Sequence, residues 1–398
     1  MDPGAKMNVH SPSRRRILQA LAAAPVAASM PSLAVDEKPN RLLVLVFLYG
    51  GNDPYNTWVP FTNETYREVR PTIAIARDAV LKVTDKHGFH PSLAPIMPMW
   101  DAKELAIVQG IGYAAGTQQH YRDGDTAFTG YDGSEYSVEG WVTRAIGKRA
   151  RTGGEDAIAF DVLDVREADP MGPFRGGSLG CVQVYYAQDL LGKREMSQCV
   201  FEANDRGRAH LAAYPGALPA VPLKTNFPTD PFGQAMRATV ELASIDRKLP
   251  VIHVALNGLD EDKHHSVDCH WDQLKYHGDA LSRLAKGLAS LREGLKEIGR
   301  WDETLVATYD EFGRCPTENE DHGTHHGLAS VHFVMGGRVK GGLFGEPLEV
   351  RNMFPHIGGP MPVIDTRQLW TSVAQQWWNA DTSNLFSKRH KALDILRA

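Results

Sequence analysis

Carboxylates and histidines gather in four short segments of this chain. Asp53 follows the apolar stretch RLLVLVFLY and a Gly-Gly-Asn turn, and His120 lies in the second segment, residues 116–123. The other two segments contain the remaining candidate ligands: Asp260, His264, Asp268, His270, Asp310, Glu311, His325 and His326. Carboxylate and imidazole groups are typical ligands of divalent metal ions. The residue types therefore predict a site for a divalent ion such as Zn, Ca, Mn or Mg, without indicating which.

Each segment also has a structural explanation. Asp53 can be a turn residue, Asp268 can cap the helix that follows it, and Asp310–Glu311 can be a solvated acidic pair. The pair His325–His326, which lies between glycines, is the segment that a structural role explains least. Taken together, the four segments favour a metal site.

Alternating strands and helices are predicted to position these segments. Apolar runs predict buried strands, and a leucine stripe at helical spacing predicts a long helix. The predicted strands are 41–49, 104–109, 160–163, 180–186, 251–256, 304–309 and 331–335, and the predicted helices are 91–101, 271–298 and 369–378. Residues 150–235, rich in Gly, Pro and Asp, are expected to form an irregular insertion or cap. The pattern predicts an α/β fold, a doubly wound and mostly parallel sheet flanked by helices, with its site at the carboxyl ends of the strands.

The first 34 residues have the features of an export signal. Ser13–Arg16 is followed by a weakly apolar Ala/Leu stretch, and Ser32–Ala34 offers small residues for cleavage. These features predict a twin-arginine signal peptide over residues 1–34, transport by the Tat translocase, and a periplasmic or secreted domain over 35–398. A disordered basic tail is the alternative. Outside the cytoplasm disulfides can form, and Cys181 and Cys199 are candidates for a pair.

Composition excludes several classes of protein. The chain has 398 residues, of which 42% are hydrophobic and 23% are charged, and its net charge is −5. These values exclude a disordered or collagen-like chain and argue against nucleic-acid binding. Beyond the leader we find no uncharged apolar stretch of the roughly 18 residues that a membrane helix needs, so stable membrane insertion is not expected.

Several strings resemble the family known as domain of unknown function 1501. They are Leu48–Asp53 (LYGGND), Phe89–Pro91 (FHP), Asp268–His270 (DCH), Asp310–Arg314 (DEFGR) and Gly323–Gly327 (GTHHG). The resemblance extends over about residues 41–385, and the family consists mostly of Tat-exported bacterial proteins. It is similar to the alkaline phosphatase/sulfatase superfamily, whose members hydrolyse phosphate or sulfate esters at one or two metals. The resemblance implies an alkaline-phosphatase-like fold.

The resemblance also implies metal ligands. Asp53 would be the metal carboxylate of the first strand, and Asp310 and Glu311 would be the acidic pair after a later strand. The remaining implied ligands are alternatives: Asp260 or Asp268, His264 or His270, and His326 or His325.

The attacking group is expected near residue 117. Where the family usually has Ser-His, this chain has Gln119-His120, and Thr117 is the nearest hydroxyl. Either Thr117 attacks, or water activated by a metal attacks and His120 is a ligand or base. Arg122 or Arg314 would bind the anionic oxygens of the substrate.

Together these features predict an exported, metal-dependent hydrolase of phosphate or sulfate esters. The substrate would be a small molecule or a group on a polymer. The alternative is a non-catalytic secreted binding or assembly protein on a hydrolase-like scaffold.

Overall fold

The computed structural model describes residues 40–149, 156–160, 171–184, 186–212, 217–256, 267–351 and 359–397. The predicted signal peptide lies outside these residues, as do Asp260 and His264. Among the helices that are described, none is both long and apolar enough to cross a membrane.

Within the described residues, ten strands form one central sheet. The strands of the structure are β1 (Leu42–Leu48), β2 (Trp58–Val59), β3 (Leu81–Lys82), β4 (Gly88–Phe89), β5 (Leu105–Gly112), β6 (Ala157–Phe160), β7 (Cys181–Val184), β8 (Val200–Ala203), β9 (Val251–Leu256), β10 (Thr304–Tyr309), β11 (Gly313–Glu318), β12 (Thr324–Gly327), β13 (Ala329–Met335), β14 (Gly342–Gly345) and β15 (Ile364–Asp365). The sheet order is β14-β5-β13-β10-β1-β9-β6-β7-β8, and β15 also pairs with β5. In this sheet β8 and β13 run opposite to β1, and the other strands run parallel to it. The mostly parallel sheet predicted from the sequence is confirmed.

The helices lie between the strands, as a doubly wound fold requires. They are α1 (Pro54–Thr57), α2 (Glu64–Glu68), α3 (Met97–Asp101), α4 (His120–Thr129), α5 (Trp141–Ile146), α6 (Ala187–Lys193), α7 (Met196–Cys199), α8 (Asp205–Leu211), α9 (Pro231–Ile245), α10 (Gln273–Glu297) and α11 (Thr366–Ser372). The predicted helix 91–101 is a 3₁₀ turn over Pro91–Ile96 that continues into α3, and a π-helical turn, Val373–Trp377, extends α11. The predicted helix 271–298 is α10, and Gly299 follows it with φ +67°.

The residues of β1 alternate between two apolar cores. Leu42 and Val44 belong to the core on the side of α9 and α10. Leu43 and Phe47 belong to the other core, with Trp141 of α5 and Trp370 of α11. Because β1 is buried on both faces, the burial of each of its large apolar side chains contributes about 1.5–3 kcal/mol to the stability of the fold.

Residues 150–235 need a correction, because they do not form only an irregular cap. They supply β6, β7 and β8, which extend the central sheet beyond β9. The tetrapeptides AIAF and CVQV are fully buried there, with Ala157 in register with Val251. All four cysteines lie within the described ranges, and no disulfide joins Cys181 to Cys199.

Parallel pairing places the ends of three strands at one edge of the sheet. Phe47 of β1 is in register with Tyr309 of β10, and Leu48 is in register with Leu256 of β9. The hairpin β11–β12 follows β10 directly, with Arg314 paired to His326. This edge therefore carries the segments that the sequence singled out.

Candidate metal centre

Three segments bring their side chains together beyond the carboxyl ends of β1 and β10. They are the N-terminus of α4, the stretch before α10, and the hairpin β11–β12. Ligand atoms of His120, Asp268 and His326 lie within 4.8 Å of one another. His270 joins them, because its Nε2 lies 3.0 Å from Oδ1 of Asp268 and 3.0 Å from Nε2 of His326. We call these four residues the His-Asp cluster.

Asp268 is the shared partner of the three histidines. Its Oδ1 lies 3.4 Å from Nε2 of His326, and its Oδ2 lies 3.6 Å from Nε2 of His120. The four side chains of the cluster are 18% to 32% exposed, so solvent and small ligands can reach them. An imidazole nitrogen and a carboxylate oxygen attract each other at such distances when a proton or a metal ion lies between them.

Hydrogen bonds on the far side of two rings determine which nitrogen faces Asp268. Nδ1 of His326 lies 2.8 Å from the carbonyl oxygen of Gln118, so Nδ1 carries the proton and Nε2 of the neutral ring offers a lone pair. Nδ1 of His120 lies 2.8 Å from Oε1 of Glu311. Carbonyls and carboxylates orient metal-binding histidines in this way. The donor set fits a divalent ion held by imidazole nitrogens and one carboxylate.

Two glycines let the segments of the cluster approach this closely. Gly50 has φ +107°, and a Cβ at this position would lie 2.3 Å from Cβ of Asp268. A Cβ at Gly323 would lie 2.2 Å from the carbonyl oxygen of His270. That carbonyl also accepts a hydrogen bond from the side chain of Asn319 at 2.8 Å. The stretch that carries Asp268 and His270 is thus packed between the turn after β1 and the hairpin.

Arg314 fixes the position of Asp268. Its buried guanidinium donates to the carbonyl oxygens of Gly50, Gly51 and Thr324 and to Oδ1 of Asp268. These bonds use four of the five guanidinium N–H groups. The sequence offered Arg122 or Arg314 for binding the substrate, whereas the structure gives Arg314 protein acceptors and makes it a positioning residue.

The surroundings shift the pKa values within the site. Burial raises the pKa of Asp268, but the hydrogen bond from His270 and the charge of Arg314 outweigh it, so this pKa lies well below its ordinary value. Burial lowers the pKa of His326 to about 4. At neutral pH Asp268 is therefore ionised and His326 is neutral, the states that bind a metal. Burial lowers the pKa of His120, but the hydrogen bond to Glu311 outweighs it and the pKa is raised.

Asp53 and Asp310 lie at the same sheet edge but outside the His-Asp cluster. The Asp53 carboxylate forms an ion pair with Arg70, with 2.5 Å between Oδ2 and Nη1. Asp310 accepts hydrogen bonds from the backbone N–H of Asn52 at 3.1 Å and the hydroxyl of Ser330 at 2.5 Å. The expected convergence of these two carboxylates with the cluster is not met, because buried protein groups bind their oxygens.

Thr117 and Arg122 flank His120 in the chain but contact other partners. The hydroxyl of Thr117 donates to Oδ1 of Asp123 at 2.9 Å. Nη1 of Arg122 pairs with Asp125 at 2.7 Å, and its Nη2 donates to two loop carbonyl oxygens. None of these contacts is to a residue of the His-Asp cluster.

The structure also bears on the alternatives left open by the sequence. His326 contributes a ligand atom to the cluster, whereas the ring of His325 lies 6.3 Å from that of His270, measured between centroids. Asp268 and His270 are in the cluster, and their alternatives lie outside the described residues.

Sequence reasoning missed three residues of this region. Gln118 holds His326 through its carbonyl oxygen and has φ +63°. Phe312 stacks on the same histidine ring, with 4.2 Å between centroids. Arg70 neutralises Asp53. Gln118 and Phe312 lie inside segments already singled out, but a lone arginine 17 positions from its partner gives no sequence signal.

The family comparison falls on the segment that carries most of the cluster. Residues 208–354 match the family described as protein of unknown function (DUF1501). This confirms the resemblance to that family over residues 208–354, a range that includes Asp268, His270 and His326. No curated protein sequence matches the chain.

Several solved structures are similar in outline. Lipoteichoic acid synthase LtaP of Listeria monocytogenes has 12% identity and a TM-score of 0.44, over 86% of this chain and 73% of that one. Phosphonate monoester hydrolase SpPMH of Silicibacter pomeroyi has 10% identity and a TM-score of 0.44, over 89% and 75%. A Vibrio parahaemolyticus protein in the alkaline phosphatase superfamily has 11% identity and a TM-score of 0.39, over 80% and 69%. Such distant likeness gives no conclusion about activity.

Proposed function

We propose that this chain is an exported, metal-dependent hydrolase of phosphate or sulfate esters, with its metal at the His-Asp cluster. The observation that carries the proposal is the convergence of three imidazole Nε2 atoms on the Asp268 carboxylate at a solvent-accessible sheet edge. When bound, a divalent ion would lower the pKa of a water molecule and stabilise negative charge on the ester oxygens.

The chain's own residues would have distinct roles in this centre. His120, Asp268, His270 and His326 would hold the ion, and Glu311 would keep the ring of His120 in place. Three neutral imidazoles and one carboxylate neutralise only part of the charge of a divalent ion. The centre would therefore carry a net positive charge and attract an anionic substrate. We expect water to be the attacking group, since the Thr117 hydroxyl already donates to a carboxylate.

A non-catalytic binding protein is the second candidate. Tyr121 and Trp271 directly follow His120 and His270 and are 62% and 45% exposed. Exposed aromatic rings beside a polar cluster are typical of interaction sites. Such a protein would keep the metal but turn over no ester.

Metal analysis and an ester assay on the same samples separate these functions. We expect the purified parent to hold zinc and to hydrolyse p-nitrophenyl phosphate or p-nitrophenyl sulfate. Asp268→Asn should lose both properties, and Asp279→Asn, at an exposed position of α10, should keep both. Metal without turnover would favour the binding protein, and a parent without metal would overturn the proposal.

Export is a separate part of the proposal. Residues 1–34 carry the twin-arginine pattern SRRRIL, and Arg14 and Arg15 are its central pair. Replacing both with lysine should trap the full chain in the cytoplasm of a Tat-competent bacterium, as measured by cell fractionation. Unchanged export of this variant would exclude the Tat route.

A further inference from the structure

An arginine binds the carboxylate that follows β1. Nη1 of Arg70 lies 2.5 Å from Oδ2 of Asp53, and Nη2 lies 3.0 Å from Oδ1. This is the two-bond geometry in which arginine binds a carboxylate most firmly. Both side chains are buried, with 0% and 1% of their surface exposed.

Every N–H group of this guanidinium has an acceptor. Beyond the two bonds to Asp53, Nε donates to the carbonyl oxygen of Pro316 at 2.7 Å. Nη1 donates to Oδ1 of Asn56 at 2.9 Å, and Nη2 donates to the carbonyl oxygen of Cys315 at 2.8 Å. The five donors of Arg70 are all used, so the side chain is locked in one position.

The acceptor sites of Asp53 are also filled. Oδ1 accepts from the backbone N–H of Tyr55 at 3.0 Å in addition to Arg70, and Oδ2 accepts from the side-chain amide of Gln273 as well. Four hydrogen bonds on two carboxylate oxygens leave no lone pair for an ion. Burial raises the pKa of Asp53, but the charge of Arg70 outweighs it and the pKa is lowered. Both side chains are thus ionised, and the pair carries no net charge.

The Arg70–Asp53 pair supports the metal centre without providing a ligand. Oε1 of Gln273 accepts a hydrogen bond from the hydroxyl of Thr324 at 2.8 Å. Gln273 follows His270 by three positions, and Thr324 precedes His326 by two. The pair therefore connects the two segments that carry these histidines.

We propose that Arg70 takes the place of a metal ion at Asp53. A fixed guanidinium neutralises the carboxylate that the family resemblance would assign to a metal. A divalent ion at the same carboxylate would add two positive charges beside a buried one, which a low-dielectric interior strongly disfavours. Together with the proposed function, on which this consequence rests, the centre takes one ion and not two.

Three variants test the substitution of arginine for metal: Asp53→Asn, Arg70→Gln and the double variant. Each single change leaves a buried group without its charged partner and should lower Tm by on the order of 5 °C. The double variant should recover part of this loss. Addition of a chelator should leave the differences in Tm between variants and parent unchanged. All variants should hold as much zinc per chain as the parent. Asp189→Asn, which removes an exposed pair with Lys193, is the control for a lost ion pair.

The outcomes distinguish the inference from the proposed function. Two zinc ions per parent chain, one of them lost in Asp53→Asn, would overturn the inference and leave the function standing. So would a Tm loss in Asp53→Asn that disappears with chelator. A parent without zinc would overturn the function, while chelator-independent Tm losses would still support the inference. If the single variants do not fold, the zinc content of the double variant decides. A content equal to that of the parent would support the inference, and a content one ion lower would contradict it.

Discussion

Nδ1 of His120 lies 2.8 Å from Oε1 of Glu311, a carboxylate that is 1% exposed. The same oxygen accepts the backbone N–H of Gly50 at 2.9 Å. Glu311 thus connects the end of β1 to the first residue of α4, and it keeps Nε2 of His120 directed at Asp268. A buried carboxylate behind a histidine fixes the ring and increases the basicity of its ligand nitrogen.

Glu311→Gln should therefore weaken zinc binding without removing a ligand. The amide keeps an acceptor for His120 but loses the charge, and outer partners of this kind are worth about 10- to 100-fold in metal affinity. Competition with a chromogenic chelator measures the change. Glu303→Gln, at a partly exposed position directly before β10 and so at the opposite end of that strand from the cluster, should bind zinc like the parent. Equal affinity in both variants would contradict the role of Glu311.

His326→Gln and His325→Gln form a matched pair on β12. Nε2 of His326 lies 3.4 Å from Asp268, so its loss removes a ligand, and we expect the zinc content to fall below one ion per chain. His325 contributes no atom to the cluster among the described residues, so His325→Gln should retain the zinc of the parent. Elemental analysis after gel filtration is the measurement. The reverse pattern would identify His325, and not His326, as the metal ligand.

Thr117→Ala and His120→Ala separate the two possible attacking groups. The Thr117 hydroxyl donates to Asp123, so its removal should cost about 1 kcal/mol of stability and leave ester hydrolysis largely intact. His120→Ala removes a ligand or base and should lower kcat/KM by about 100-fold or more. Steady-state kinetics on one p-nitrophenyl ester measures both. Loss of turnover in Thr117→Ala at full metal content would instead identify a hydroxyl nucleophile.

His90 should make the fold sensitive to mild acid. Burial lowers its pKa to about 4, against about 6.5 in an unfolded chain. Between these values the folded state binds fewer protons, so stability falls as the pH decreases, by about 2 kcal/mol from pH 7 to pH 5. Asn can replace the His90 acceptor for the N–H of Ser92 and does not titrate. In urea unfolding, His90→Asn should therefore lose about 2 kcal/mol less stability than the parent between pH 7 and pH 5. An equal loss in both proteins would show that His90 is not the group responsible.

Local patterns predicted the parts of the fold that depend on local burial. The apolar run of β1 and the leucine stripe of α10 were recognised because each encodes its own packing. The strands β6, β7 and β8 were placed less well, since their membership of the sheet depends on pairing with β9 and not on their short sequences. The types of β1 and α10 thus followed from the sequence, whereas the place of β6, β7 and β8 in the sheet follows from the tertiary structure.

The candidate site divides in the same way. Asp268, His270 and His326 were among the candidate ligands predicted from the sequence, each with an alternative: Asp260, His264 and His325. Arg70 neutralises Asp53, and Arg314 orients Asp268 and is not exposed to an ester. Both roles depend on contacts between segments that are far apart in the chain. Such contacts leave no periodic or local signal, so residue type correctly indicated a charged site but not each partner.

Gly50→Ala should disrupt the centre through the backbone. Its Cβ would lie 2.3 Å from that of Asp268 at φ +107°, so strain and a steric clash act together, and we expect a loss of more than about 2 kcal/mol. Gly133→Ala is the matched control, with φ +61° and open space around its Cβ, and should cost about 1 kcal/mol. Zinc affinity should fall in Gly50→Ala alone, because Gly50 also donates to Glu311. Zinc binding retained in a folded Gly50→Ala protein would show that the close approach does not shape the site.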